Sequence, residues 1–329
     1  MIKEENNILF ELKDCYKKRL LSVLVGAGFS KNVSDSFLSW GELLHDMVEN
    51  LYATGIKTRY DNYLHINKNT SEKLKSEEEV SEEFISEILA NENCLKIVSD
   101  YINKNGYREC VETYVEEKIP FADFDANGNI VLKIRNNIIE TLTENDFSAH
   151  IELLKLDQLQ NIYTTNYENL LEFTTKLLSL KNYPDLPELV LCARELSDKI
   201  QYRNIIKIHG NLRTNNQKVS FDKDDNICYI VAKEDYDSYR EKHDAFASLM
   251  RIAMLQGKFL LIGFSGADAN FKEWVKWMKE ILNDEDEKIT KIFIVDFSKE
   301  PISQALQLYY KNHRIKSISL IDKEILSAL

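Results

Sequence analysis

Apolar positions follow two regimes along the chain. From residue 161 onward, short runs rich in β-branched and aromatic residues, IYTT, NIIKIH, ICYIVA, KFLLIGF, KIFIVD and IKSISL, are each followed by polar residues and a stretch of helical period. Several of these runs are apolar without alternation, as strands covered on both faces of a parallel sheet are. The run LLSVLV at 20–25 has the same character and follows a helical pattern over 8–19. Ser39-Trp40-Gly41-Glu42 has the spacing of a capping box, and Leu43, Leu44, Met47, Val48 and Leu51 continue at helical intervals, which predicts a helix packed on the sheet. From Tyr60 to Ile119 no strand pattern occurs, and Glu/Lys runs separate periodic apolar residues, which predicts an inserted helical layer. Asn127-Gly128 marks a turn, read as a hairpin tip. The whole predicts one α/β domain over 1–329, a doubly wound, mainly parallel sheet with a helical insertion at about 60–119.

Composition narrows the function classes. With 44% hydrophobic and 29% charged residues and only 10 glycines and 4 prolines, the chain has the make-up of a globular domain with little linker. A net charge of -12 argues against direct nucleic-acid binding, which relies on clustered Lys and Arg. The five cysteines have no two close in sequence, so neither a disulfide framework nor a zinc knuckle is visible, and a reducing cytoplasm fits. The N-terminus is acidic where a signal peptide is basic, and no apolar run approaches the ~20 residues that span a bilayer. A soluble protein with no membrane partner is expected.

Candidate chemistry sits where strands end. GAGFS at 26–30 follows the first strand; a dehydrogenase fingerprint needs a third glycine where Lys31 stands and an acidic residue closing a second strand ~20 residues on, and both are missing. A tight packing turn and a phosphate cradle both remain open for it. IYTTNYENLLE at 162–172 passes from strand to helix at Asn166, a residue type that caps helices. IIKIHGNL at 205–212 ends a strand in His209, placed as a general base or as a core imidazole. FLLIGFSGADANFKEWV at 259–275 is again strand, glycine turn and helix, with Asp268 near the cap. Gly26, Gly28, Gly210, Gly263 and Gly266, five of the ten glycines, lie in these turns. Separate caps do not explain that concentration, whereas one pocket at the carboxyl rim of the sheet does. Asp296 ends KIFIVD, a place where an Asp often only starts a turn.

In order, G-A-G-x-S, T-T-N-Y-E, I-H-G and L-I-G-F-S-x-x-D resemble the sirtuin-like NAD-binding fold, and more closely its bacterial branch of NAD hydrolases found in anti-phage defence. ICYIVAKEDYDSY at 227–239 is similar to the segment that follows the His in that branch. The resemblance covers roughly residues 8–320 and is weakest in the helical insert. It implies a Rossmann-like fold and an enzyme that cleaves NAD into nicotinamide and ADP-ribose, with Asn166 and His209 as catalytic residues. Gly26, Ala27, Gly28 and Ser30 are then expected at the pyrophosphate, Gly263, Phe264 and Ser265 at the adenosine, and Thr165, Glu168, Asp268 and Asp296 among the other NAD-binding residues. Glu168 stands where most relatives carry Asp. The two close cysteine pairs of zinc-holding deacylases are missing, and SDSFLSWGELL stands in place of their Ile-Pro-Asp-Phe-Arg stretch, so no metal is expected and deacylation is disfavoured. An enzyme that destroys NAD would poison its host, so its activity is expected to be held off until a trigger acts, through homo-oligomer assembly or a companion sensor protein. A module that senses NAD or ADP-ribose without turnover, and an NAD-dependent deacylase, are the competing readings.

Overall fold

The computed structural model describes residues 2–51, 94–100, 108–199, 203–212, 229–264, 268–282, 290–296 and 304–319. A first helix, α1 (Ile2–Lys17), leads into β1 (Leu21–Val25), the glycine turn carrying one helical turn, α2 (Ala27–Ser30), and α3 (Trp40–Leu51). After a helical segment at 94–100 come α4 (Arg108–Lys118) and three short strands, β2 (Phe121–Phe124), β3 (Ile130–Ile134) and β4 (Asn137–Leu142). The rest alternates: α5 (Ser148–Lys155), β5 (Asn161–Thr164), α6 (Leu170–Leu180), β6 (Glu188–Val190), α7 (Ala193–Lys199) and β7 (Asn204–Lys207). Then follow α8 (Lys233–Asp237), α9 (Tyr239–Lys242), α10 (Asp244–Gln256), β8 (Lys258–Ile262), α11 (Ala269–Leu282), β9 (Ile292–Asp296), α12 (Gln304–Asn312) and β10 (Ile315–Ser319).

Seven strands form one sheet in the order β10-β9-β8-β1-β5-β7-β6, every neighbouring pair parallel. Side chains alternate between its two faces, and both faces are dry, which is why the strands read as continuous apolar runs. Val23, Val25, Ile162, Ile205, Leu260 and Ile262 pack with Leu12 of α1, Leu154 of α5 and Leu170 and Leu177 of α6. On the other face, Leu24, Tyr163, Ile206, Phe259, Leu261 and Ile294 pack with Met250 and Met254 of α10 and Phe271, Trp274 and Met278 of α11. The expected doubly wound α/β sheet is therefore present.

Four local expectations need correction. The capping box at Ser39 forms, with Glu42 Oε2 accepting the Ser39 N–H at 2.6 Å and Ser39 Oγ accepting the Glu42 N–H at 3.3 Å. Yet the apolar stripe of α3 does not pack on the sheet: Leu43, Leu44, Met47 and Val48 bury against Cys94, Val98, Val111 and Val115, so α3 joins the helical layer as a third core, and only Trp40 at its start also touches the sheet-side core. Of ICYIVA, residues 229–232 are described and form no sheet strand; Tyr229 makes a single antiparallel bridge to Gly210, tying that segment to the rim. Edge strand β6 escaped notice because three residues show no period. So did the second sheet, β2-β3-β4, of which only the Asn127-Gly128 hairpin was legible. Of the expected insertion at 60–119, the described parts are the helical segment at 94–100 and α4, which ends at Lys118. The remainder lies outside the described residues.

The two glycine turns dock on each other at the sheet's carboxyl rim. Gly26 N–H donates to Ile262 O at 3.0 Å, and Gly28 N–H to Gly263 O at 2.9 Å. A Cβ on Gly26 would sit 2.6 Å from Gly263 O, one on Gly28 2.9 Å from the same atom, and one on Gly263 would overlap the Phe29 amide. Gly263 also has φ +60, a left-handed conformation costly for any other residue. Gly263→Ala is therefore expected to cost about 3 kcal/mol or more, since strain and backbone overlap add. Urea unfolding measures it; an unchanged midpoint would contradict the docking argument.

Candidate functional site

The docked turns open onto a cavity of about 210 Å³ beyond the carboxyl ends of β1, β5, β7 and β8. This is the crevice beside β1, where the chain, having built β5, β7 and β6 on one side, returns to build β8 on the other. Ala27, Gly28, Ser30, Thr165, Asn166, Glu168, His209, Gly263, Phe264 and Asp268 all line it. Motifs up to 240 residues apart are thus brought to one place, as one shared pocket requires. Gly26 is not in the lining; it acts from behind by docking on Gly263. Asp296 ends β9, the strand beside β8, and its side chain lies outside the described residues, as does Ser265 altogether.

Asn166 is held by a buried carboxylate. Its amide donates from Nδ2 to Glu168 Oε1 at 2.9 Å and to Ser30 Oγ at 3.1 Å. Ser30 in turn donates to the same Glu168 oxygen at 2.7 Å, while Glu168 Oε2 accepts the Leu170 N–H at the start of α6 at 2.5 Å. A carboxylate only accepts, so it fixes which end of the amide faces it. The other end, Asn166 Oδ1, is buried with no hydrogen-bond partner among the described residues. Asn166 lines the cavity, and a buried acceptor without a protein partner calls for a donor, from water or from a ligand. The helix cap is made by Glu168, not by Asn166. The extra methylene of Glu168 lets one side chain reach Ser30, Asn166 and the Leu170 amide together.

Three expected phosphate donors are already engaged. Gly26 spends its N–H on Ile262 O at the end of β8 and Gly28 on Gly263 O in the neighbouring turn, and the Ser30 hydroxyl, 1% exposed, is committed to Glu168. The glycines serve first as packing contacts, and Ser30 as part of the Asn166 support. Around them the wall is apolar: Phe37, Leu38, Trp40, Leu43 and Ile119. Ser34 Oγ donates to Glu140 Oε2 at 2.5 Å, so β4 of the small sheet pins the segment that forms this wall.

His209 is 3% exposed, edge-on to Tyr236 with ring centroids 5.6 Å apart. Burial pushes its pKa down from 6.5, with Asp268 and Asp235 opposing, so the ring is neutral at neutral pH. The Asn270 amide nitrogen lies 3.4 Å from His209 Nε2, which assigns Nε2 as acceptor and the proton to Nδ1. Asp268 Oδ1 caps α11 by accepting the Phe271 N–H at 2.9 Å, and its Oδ2 lies 3.7 Å from His209 Nε2. The arrangement is a neutral base with a carboxylate beside the nitrogen that takes the proton. Asp268 both caps and faces the base.

Reading the motifs missed several participants. Tyr167 and Tyr236 line the cavity, and Asn270 meets the base; the signal was their place inside TTNYE, KEDYDSY and GADAN. Lys207, two residues before His209, is fully buried, its ammonium bound to Tyr167 O at 3.0 Å, to Glu168 O, and to Glu172 Oε1 at 2.8 Å. Burial pushes the Glu172 carboxyl up, and Lys207 pulls it back. His150 of α5 sits behind the site, its ring 4.3 Å from Phe29, and nothing in the sequence set it apart.

Comparison with family models now adds its weight. Residues 160–318 match the family model of the SIR2-like domain. The matched span takes in β5 through β10, with Asn166, Glu168, His209, Gly263 and Asp268, and implies NAD use. The glycine turn after β1 precedes the SIR2-like span but is hydrogen-bonded into it through Gly28 and Gly263. No curated protein matches the chain. Among the described residues, no group of three His, Cys, Asp or Glu side chains could hold a metal ion, and no helix is long and apolar enough to cross a membrane.

Burial pushes His150 down to about 4, with Glu168 weakly opposing. Unfolding raises that value to 6.5, so the unfolded chain binds more protons between these limits. The His150 contribution is complete above pH 6.5 and is lost as pH falls towards 4. His150→Phe, which keeps an aromatic ring beside Phe29, is expected to reduce this acid loss by up to about 3 kcal/mol. Urea midpoints from pH 7 to 4 measure it; an identical slope in the variant would contradict the assignment.

Proposed function

We propose that the protein is an NAD glycohydrolase that cleaves the nicotinamide–ribose bond to give nicotinamide and ADP-ribose. The observation that carries this reading is the unpartnered Asn166 Oδ1 beside a neutral, buried His209 in one cavity. Nicotinamide in NAD is already a cationic leaving group, so its departure needs little acid help and passes through an oxocarbenium-like state. What the protein must supply is a positioned nucleophile and a base. Asn166 Oδ1 accepts from a ribose hydroxyl or from the attacking water. His209 Nε2 takes a proton from that water or hydroxyl, and Asp268 becomes the counter-charge of the imidazolium. Apolar residues around Trp40 exclude bulk water. The pyrophosphate lies along Ala27 and Gly28, the adenosine towards Gly263, Phe264 and Ser265, with Asp296 at its ribose.

The same reading makes the chain a triggered effector that depletes NAD in bacterial anti-phage defence, belonging to the branch without the zinc module of protein deacylases. Free NAD cleavage would harm the host, so activity is withheld until assembly or a companion protein releases it. Leu43 and Ile119, from the helical layer and its border, stand in the cavity wall and give that layer a route to the site.

Nicotinamide release, with and without candidate partners, tests the proposal. His209→Ala and Asn166→Ala are each expected to lower kcat by about 10²- to 10⁴-fold with circular dichroism unchanged. In the wild type kcat/KM should hold at neutral pH and fall on the acid side of 6.5, as His209 takes its proton. A doubly substituted protein as fast as wild type would end this reading.

A further inference from the structure

Lys207 carries no role in the chemistry above, yet no other lysine of the described chain is as deeply buried, at 0% exposure. A desolvated ammonium survives only if its donors are met. Here three acceptors meet three donors: Tyr167 O, Glu168 O and Glu172 Oε1. Two of the three belong to the 165–169 segment, which lies between β5 and α6 and is itself neither helix nor strand. That segment carries Asn166, whose side chain hangs from the carboxylate of the residue whose carbonyl Lys207 holds. Lys207 also ends β7, directly opposite Thr164 of β5, and β7 runs on to His209. One side chain therefore fastens the Asn166 segment to the strand that delivers the base.

We infer that Lys207 is a positioning residue: through the carbonyls of Tyr167 and Glu168 it sets the height of Asn166 over the cavity relative to His209. Glu172 Oε1 meets the third donor of the ammonium and is not the operating contact. This inference rests on the NAD glycohydrolase reading for its kinetic arm only.

Two variants of the full chain separate the roles. Glu172→Gln leaves both carbonyl contacts, and kcat is expected within about threefold of wild type. Lys207→Met with Glu172→Gln removes the clamp without stranding a charge; kcat is expected to fall about 10- to 100-fold, as misplacement of a reacting group by an ångström does, with KM for NAD within threefold. A folded double variant with wild-type kcat would overturn the inference, as would a tenfold loss in folded Glu172→Gln. The second readout is the Asn166 side-chain amide signal in asparagine-labelled protein, assigned by its loss in Asn166→Ala. It should be shifted and protected from solvent exchange in wild type and Glu172→Gln, and move to the free-amide position in the double variant. An unmoved signal overturns the inference. Should wild type not cleave NAD, the functional reading falls, and the amide signal still decides the role of Lys207. Should that double variant not fold, Lys207→Gln with Glu172→Gln, which also removes the ammonium but fills its space with an amide, is read the same way on kcat and on the amide signal.

Discussion

A carboxylate removed from water has to be met by donors, and Glu168 is met by three: the Ser30 hydroxyl, the Asn166 amide and the Leu170 N–H. These come from the glycine turn after β1, the segment after β5 and the first turn of α6. One buried anion thereby joins three parts of the rim that packing alone would leave adjustable, because hydrogen bonds to a charged acceptor are short and directional. Its presence also decides the orientation of Asn166, and with it the character of the cavity wall. One amide oxygen of a cavity-lining residue is left without a partner among the described residues, and no titrating charge is introduced there.

The supports of this anion are layered. Lys207 holds its backbone from below, and the docking of Gly28 on Gly263 holds the turn that carries Ser30. The small antiparallel sheet joins in from the side: Asn169 makes two hydrogen bonds to the backbone of Ala122, at 2.8 and 2.9 Å, and Glu140 ties Ser34. That sheet contributes no residue to the cavity lining. Its effect is to fix the segment 34–40, so the apolar wall stands still relative to Asn166. The helical layer touches the site more directly, through Leu43 and Trp40, the latter packing against both the sheet-side core and the helical core.

His209 shows the opposite use of burial. Where Glu168 is met by hydrogen-bond donors, His209 is kept neutral by the loss of water, and the carboxylate near it, Asp268, is anchored by capping α11. A base of this kind accepts a proton only when the reaction supplies one, and the waiting carboxylate then stabilises the product charge. The SIR2-like match over 160–318 includes this half of the site.

Much of this was legible in the chain itself. Parallel strands buried on both faces leave unbroken apolar runs, so β1, β5, β7, β8, β9 and β10 declared themselves. Turns at their ends need glycines, so the rim was marked before any coordinates. Tertiary structure alone decided the rest. The strands β2, β4 and β6 are short or half exposed and carry no period, and α3 shows an apolar stripe without saying which surface it meets. The Gly26 and Gly28 amides looked like ligand donors until the neighbouring turn was seen to take them. Lys207 and His150 bear nothing local that distinguishes a buried cation or imidazole from a solvated one. Residue type and spacing are properties of a few neighbours along the chain, whereas desolvation and hydrogen-bond partnership depend on atoms brought from far away, and those exist only once the sheet has closed.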